Sequence, residues 1–155
     1  VVMIVLLYGQ PGAGKTTLAK MLAGHLATPH LLDGDEFREV MGSDAYDKSG
    51  RLDNLTKANA VATWLNHNGA AWVVMAFVHP YQAKRAELRQ LNEGEVIEVL
   101  LESSRSLRRE YHAADFEIGQ PDARLQTNGA AKTSFAMLKG WICENVGAGR
   151  QPAKG

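Results

Sequence analysis

Residues 9–17 read Gly-Gln-Pro-Gly-Ala-Gly-Lys-Thr-Thr and follow directly on the apolar run Val1–Tyr8. The stretch fits G-x-x-x-x-G-K-[ST], with Gly9, Gly14, Lys15 and Thr16 at the fixed places. The spacing has a mechanical meaning. Glycines at 9, 12 and 14 let the chain turn tightly and aim backbone N–H groups inward at an anion. A helix opening near Lys15 adds the positive end of its dipole. Gly9, Gly12, Ala13, Gly14, Lys15, Thr16 and Thr17 are therefore expected to wrap the phosphates of a nucleotide. Lys15 would reach the β- and γ-phosphates, and the Thr16 hydroxyl would sit on Mg²⁺. The plain alternative is a glycine-rich turn that binds nothing. Against it, the next segment sets Leu18, Met21, Leu22 and Leu26 on one helical face, so the loop sits between strand and helix.

Working outward, 155 residues amount to about one domain with a single core. Hydrophobic residues make up 45% and charged residues 22%, which is ordinary for a globular chain and argues against disorder. Lys+Arg and Asp+Glu are both 17. Zero net charge offers no global field for nucleic acid or an anionic membrane, so neither partner is expected. The single cysteine, Cys143, rules out an intramolecular disulfide and a cysteine metal cluster, and fits a reducing, cytoplasmic setting. Val1–Tyr8 is too short for a membrane span and reads as a buried strand. Because the chain opens inside that strand, a longer parent polypeptide is one expectation.

Strand and helix signals alternate. Strands are expected at Val1–Tyr8, His30–Asp33, Ala71–Val78, Val96–Leu101 and Ala123–Gln126. Helices are expected at Lys15–Ala27, Glu36–Met41, Arg51–Asn68, Tyr81–Leu91, Ser103–Tyr111 and Ala131–Val146, with polar loops at Gly42–Gly50 and His112–Pro121. Strands that are apolar without alternation are buried on both faces, as in a parallel sheet covered by helices. The expected fold class is α/β: the three-layer α/β/α P-loop NTPase fold, with a parallel sheet of about five strands. Loops at the carboxyl ends of the strands then form one rim for ligands. The phosphate loop, Asp33–Arg38, Val78–Tyr81 and His112–Pro121 meet there.

Asp33-Gly34-Asp35-Glu36-Phe37-Arg38 supplies two carboxylates at a strand end. One can hold Mg²⁺, and the other can accept a proton from an attacking hydroxyl. Arg38 suits an anionic acceptor through its planar fork. A helix cap with a surface arginine is the alternative. Arg51, Asn54 and Lys57 recur every three residues on one helical side and either line the acceptor pocket or form a solvated face. His79 could donate to an anion, act as a base, or merely cap a helix; Tyr81 could stack on a planar ligand or hold the helix start. Of Arg105, Arg108 and Arg109, one is expected over the nucleotide base or beside the moving phosphoryl group, with Arg109 the candidate.

These motifs together resemble the adenylyl-sulfate kinase family. The carrying residues are Gly9–Thr17, Leu32–Arg38, Arg51-Leu52-Asp53-Asn54, Ala76–Tyr81 with Arg85, and Pro121–Thr127, so the likeness runs from about residue 3 to about residue 127. The resemblance implies ATP, Mg²⁺ and phosphorylation of a ribose hydroxyl on a sulfonucleotide. It implies acceptor contacts from Arg38 and Asn54, and metal and hydroxyl roles for Asp33 and Asp35. It puts adenine selection near Thr127–Ala131. The chain departs from the family's pattern at His79 (usually serine), Gln82 (usually arginine) and Lys57 (usually arginine). The family's long lid with its Phe-Thr-Gly-Ile signature is replaced by about ten residues, Tyr111–Gln120. Phe116 or Tyr111 could stand in for the lid's aromatic.

The expectation is therefore a kinase domain over residues 1–147 with a flexible tail at 148–155. Lys15, Asp33 and Asp35 would carry catalysis, with Thr16 and Asp33 on the metal. Asp35, Arg38, Arg51, Asn54, His79 and Tyr81 would contact a small anionic acceptor. A homodimer is one assembly open to the chain. Two other functions fit the same motifs: a nucleotide-binding regulatory module with slow hydrolysis, and a polynucleotide or RNA-end kinase.

Overall fold

The computed structural model describes residues 3–69, 72–105 and 109–146. Five parallel strands form one sheet: β1 (Met3–Tyr8), β2 (Leu31–Asp33), β3 (Trp72–Phe77), β4 (Val96–Glu102) and β5 (Ala123–Gln126), in the order β2-β3-β1-β4-β5. Between and after them run α1 (Lys15–His25), α2 (Gly34–Met41), α3 (Lys48–His67), α4 (Gln82–Leu91) and α5 (Ala131–Val146). The α/β class and the five-stranded parallel sheet are as expected.

Strand β1 shows why its sequence does not alternate. Met3, Val5 and Leu7 point into one core with Leu18 and Leu22 of α1 and Leu138 and Ile142 of α5. Ile4, Leu6 and Tyr8 point into the other, against Phe37 of α2, Leu55 and Ala58 of α3 and Leu88 of α4. Each fully buried Leu, Ile or Val contributes about 1.5–3 kcal/mol, so both faces must be apolar. The register pairs Tyr8 with Phe77 and Asp33 with Ala76. That brings the carboxyl ends of β1, β2 and β3 to one level, where the phosphate loop leaves β1 and α2 leaves β2.

Several boundaries differ from expectation for local reasons. Helix α3 starts at Lys48, because Asp47 caps it by accepting from Gly50 N at 3.0 Å. Helix α2 starts at Gly34 with Asp33 as its cap. The helix expected over Ser103–Tyr111 is not built as one. Ser103 Oγ and Ser104 N both donate to Asn128 Oδ1, and Arg105 N donates to Ser103 Oγ, so side chains take up the groups a helix needs. Residues 106–108 lie outside the described residues, and Arg109–Tyr111 is a single 3-10 turn. The expected tail at 148–155 also lies outside them. Among the described residues no helix is long and apolar enough to cross a membrane.

The short segment after that turn is strapped to the core. Glu117 N donates to Pro80 O at 2.8 Å, and the buried Arg85 donates to Glu117 O and to His79 O, both at 2.6 Å. Arg85 also lies over the Tyr8 ring and faces Glu98 at 3.2 Å. Burial pushes the Tyr8 hydroxyl up to about 12, and it donates to Ile118 O at 2.7 Å.

Candidate active site

The rim carries a cavity of about 830 Å³. Its floor on one side is the phosphate loop. Gly9 must be glycine, since a Cβ there would collide with the Leu101 carbonyl oxygen. Gly14 is the N-cap of α1 in the left-handed region, φ 84°, and no side chain caps the helix. The uncapped first turn is the anion cradle expected of a nucleotide phosphate site. Thr127 braces the cradle from behind, donating from its hydroxyl to Ala13 O at 2.8 Å. Lys15 Nζ donates to Gln10 O at 2.9 Å.

Asp33 does two things at once. Its Oδ1 accepts the Thr16 hydroxyl at 2.6 Å, and its Oδ2 accepts Glu36 N at 3.3 Å. The cap and the phosphate-site role are thus compatible in one carboxylate. A hydroxyl and a carboxylate side by side, next to a phosphate cradle, fit a magnesium ion that keeps most of its ligands as water and phosphate oxygen. No group of three or more His, Cys, Asp or Glu side chains suited to a metal is found among the described residues, so they form no all-protein cage.

The same cavity is also lined by Asp35, Arg38, Tyr46, Arg51 and Asn54. Asp35 is exposed in the first turn of α2. Arg38 donates to Ala45 O at 3.1 Å and lies 4.1 Å from the centre of the Tyr46 ring. Arg51 faces Asp115 at 3.5 Å. Asn54 is 3% exposed, and its Oδ1 has no hydrogen-bond partner among the described residues.

Of the residues singled out in the sequence, the cavity gathers Gly12, Gly14, Lys15, Thr16, Thr17, Asp33, Asp35, Arg38, Arg51, Asn54 and His79. Three expectations change. His79 forms part of the wall but is 1% exposed, and its ring turns inward to α3. Asn59 commits both amide hydrogens, to Lys84 O and Glu87 Oε2 at 2.9 Å each. Its Oδ1 is therefore an acceptor, and His79 Nε2 carries the hydrogen between them at 3.0 Å. The ring is tied to α3 through Asn59, which in turn bonds to α4, rather than turned out toward an anion. Tyr81 is also buried, outside the cavity lining, with burial and the neighbouring Asp115 raising its hydroxyl's pKa while Arg51 opposes them. It backs Arg51 rather than stacking on a ligand. Arg109 is exposed and outside the lining; Glu110, Tyr111 and His112 line the rim instead. Arg105 holds Thr127 O at 2.6 Å. Lys57 pairs with Asp53 at 2.9 Å on the exposed side of α3. Phe116 stacks on Tyr8 in the core, so Tyr111 is the segment's aromatic on the cavity.

Burial, with the Arg85 charge adding to it, lowers the His79 pKa from 6.5 to about 3. The unfolded chain then binds a proton that the folded chain refuses. Stability is complete above about pH 6.5 and falls toward pH 3, by about 1.4 kcal/mol per pH unit within that window. Denaturant unfolding of the wild type should lose about 2 kcal/mol more between pH 7 and pH 5 than His79→Gln does. Equal losses in the two proteins would contradict the buried neutral ring.

Sequence reading missed Tyr46, Gln10 and His112. Tyr46 was one aromatic in a polar loop, with no periodicity to mark it. Gln10 stands at a variable place of its motif, and His112 acts through Pro11 O, 3.0 Å away and about a hundred residues earlier.

A phosphate cradle, a lysine and a hydroxyl–carboxylate pair in one cavity with further acidic and basic side chains make this a P-loop phosphotransferase. The sequence model of adenylylsulphate kinase matches residues 1–114, and the chain belongs to that family. The cytidine diphosphoramidate kinase of Campylobacter jejuni is 29% identical over 151 residues, covering 85% of this chain and 89% of that one. The APS kinase CysC of Mycobacterium tuberculosis, solved with AMPPNP and APS, shares the fold with a TM-score of 0.77 at 20% identity, over 90% of this chain and 96% of that one. A gluconokinase from Sinorhizobium meliloti shares it with a TM-score of 0.71 at 14% identity, over 92% of both chains.

Proposed function

We propose that the protein is a cytoplasmic kinase that moves the γ-phosphoryl group of ATP to a hydroxyl of an anionic, nucleotide-type acceptor. The observation that carries this reading is what one cavity gathers. Lys15 and the Thr16–Asp33 pair line it together with Asp35, Arg38, Tyr46, Arg51 and Asn54, and we assign the first group to ATP and the second to the acceptor. An arginine fork suits a phosphate or sulfate, and an exposed aromatic face suits a base. The name of the Campylobacter relative, a kinase of a cytidine compound, supports a nucleotide-type acceptor. Adenylyl sulfate is one such compound.

In this reading the loop amides and Lys15 bind the triphosphate tail and stabilise charge as it builds on the transferring group. Thr16 and Asp33 would hold magnesium, which supplies charge neutralisation on the phosphates. Asp35 accepts the proton of the acceptor hydroxyl. The oxygen so freed bonds to the γ-phosphorus, the bond to the β–γ bridging oxygen breaks, and ADP leaves. Arg38 and Arg51 hold the acceptor's anion, and Asn54 fixes its orientation.

The test is ADP release from ATP with magnesium, offered adenylyl sulfate, cytidine and adenosine mono- and diphosphates, and a 5′-hydroxyl oligonucleotide. Release that depends on one of the small nucleotides is the expected result. Tight ATP binding with no acceptor-dependent release would favour a regulatory module. Release with the oligonucleotide alone would favour a polynucleotide kinase.

A further inference from the structure

We infer that Gln10 is a positioning residue that couples the phosphate-binding loop to the cavity wall assigned to the acceptor. This rests on reading the cavity as a kinase site. The Gln10 side-chain amide donates to Ala113 O and accepts from Ala113 N, both at 2.9 Å. A primary amide is the side chain that can clamp a peptide unit in this way, with a donor and an acceptor in one plane. Ala113 is small and 4% exposed, so the clamp holds backbone without depending on a side chain. His112 adds a second tie, its ring nitrogen 3.0 Å from Pro11 O. Two segments about a hundred residues apart are thereby bound at adjacent positions of each.

The clamp connects the two groups of cavity residues. On the loop side, the Gln10 carbonyl oxygen accepts Lys15 Nζ at 2.9 Å and Ala13 N at 3.2 Å. On the acceptor side, Asp115 lies two residues beyond Ala113 and faces Arg51, which lines the cavity. Two residues further, Glu117 is anchored to Pro80 and Arg85. The segment is thus fixed to the core at Glu117 and to the phosphate loop at Ala113, where Gln10 reads its backbone directly. A nucleotide that orders the loop also orders residues 110–115, and with them the environment of Arg51. A short docked segment can in this way do what a long closing lid does elsewhere, by being tied to the phosphates' own binding loop.

Hydrogen exchange on the full chain, with and without AMPPNP and magnesium, tests this. In the wild type the Ala113 amide is expected to be protected, and AMPPNP to slow exchange across residues 110–118 further. Gln10→Ala removes both bonds. It should exchange about tenfold or more faster there and lose the response to AMPPNP, while its calorimetric Kd for AMPPNP stays within about threefold of the wild type. Gln10→Met fills the same space without donor or acceptor and should behave as Gln10→Ala does. Wild-type exchange in Gln10→Ala, or rescue by Gln10→Met, would overturn the coupling. So would loss of AMPPNP binding in Gln10→Ala, since Gln10 would then be a prop for the loop alone. Wild-type protein that fails to bind AMPPNP would instead overturn the kinase reading itself.

Discussion

Lys15→Ala lowers kcat by about a thousandfold or more. The expectation follows from charge. Phosphoryl transfer builds negative charge on oxygens held over the loop, and the protein contributes mainly fixed positive groups there. Losing one preorganised neutral donor from such a site costs about 10²–10³ in rate, and losing a full cation costs more. In the structure Lys15 Nζ is hydrogen-bonded within its own loop, to Gln10 O. The ammonium is therefore already at the cradle and needs only a local swing. It is half-buried and carries little of the core, so Lys15→Ala should fold, with an unchanged circular-dichroism spectrum and a melting temperature within a few degrees. ADP release at saturating acceptor is the measurement. A loss under about tenfold would remove Lys15 from the transfer step.

Asp35→Asn is expected to leave ATP affinity within about threefold and to lower turnover by about 10²–10⁴, the range a positioned general base supplies. The structure gives the two aspartates different surroundings. Asp33 receives the Thr16 hydroxyl and caps α2, so both its oxygens are engaged. Asp35 sits two residues onward, exposed, in the first turn of α2, and lines the cavity together with Arg38 and Tyr46. The asparagine keeps the shape and removes the proton acceptor. The complementary Asp33→Asn should instead raise the magnesium concentration needed for half-maximal rate. If turnover survives in Asp35→Asn and falls in Asp33→Asn, the proton-accepting role moves to Asp33.

The parts legible in the sequence are those whose partners are close along the chain. The phosphate loop is nine consecutive residues, and its glycines and lysine act on one another within two turns. Asp33, Asp35 and Arg38 lie on six consecutive residues, so their convergence needs only the strand-to-helix step after β2. Strands β1 and β3 were legible because burial on both faces leaves no room for polar residues. His79 shows where that reasoning stops. A histidine at a strand end reads as a rim residue, but a backbone φ of 45° turns its ring into the α3–α4 seam, where Asn59 accepts its hydrogen. Tyr81 went the same way, buried behind Arg51. The described start of the helix expected at Ser103–Tyr111 is not helical, because Asn128, on another turn, captures Ser103 and Ser104.

The chain's local chemistry settled that it would make a phosphate cradle at the end of a central strand, because left-handed backbone and close approach within a few residues are demands that glycine meets at the least cost. Which contacts tie the segments around that cradle together was decided only by folding. Asp115 against Arg51 and Gln10 clamping Ala113 are contacts between distant segments that the fold brings together. No local pattern encodes such a meeting, since its energy depends on the distance between segments and not on either one alone.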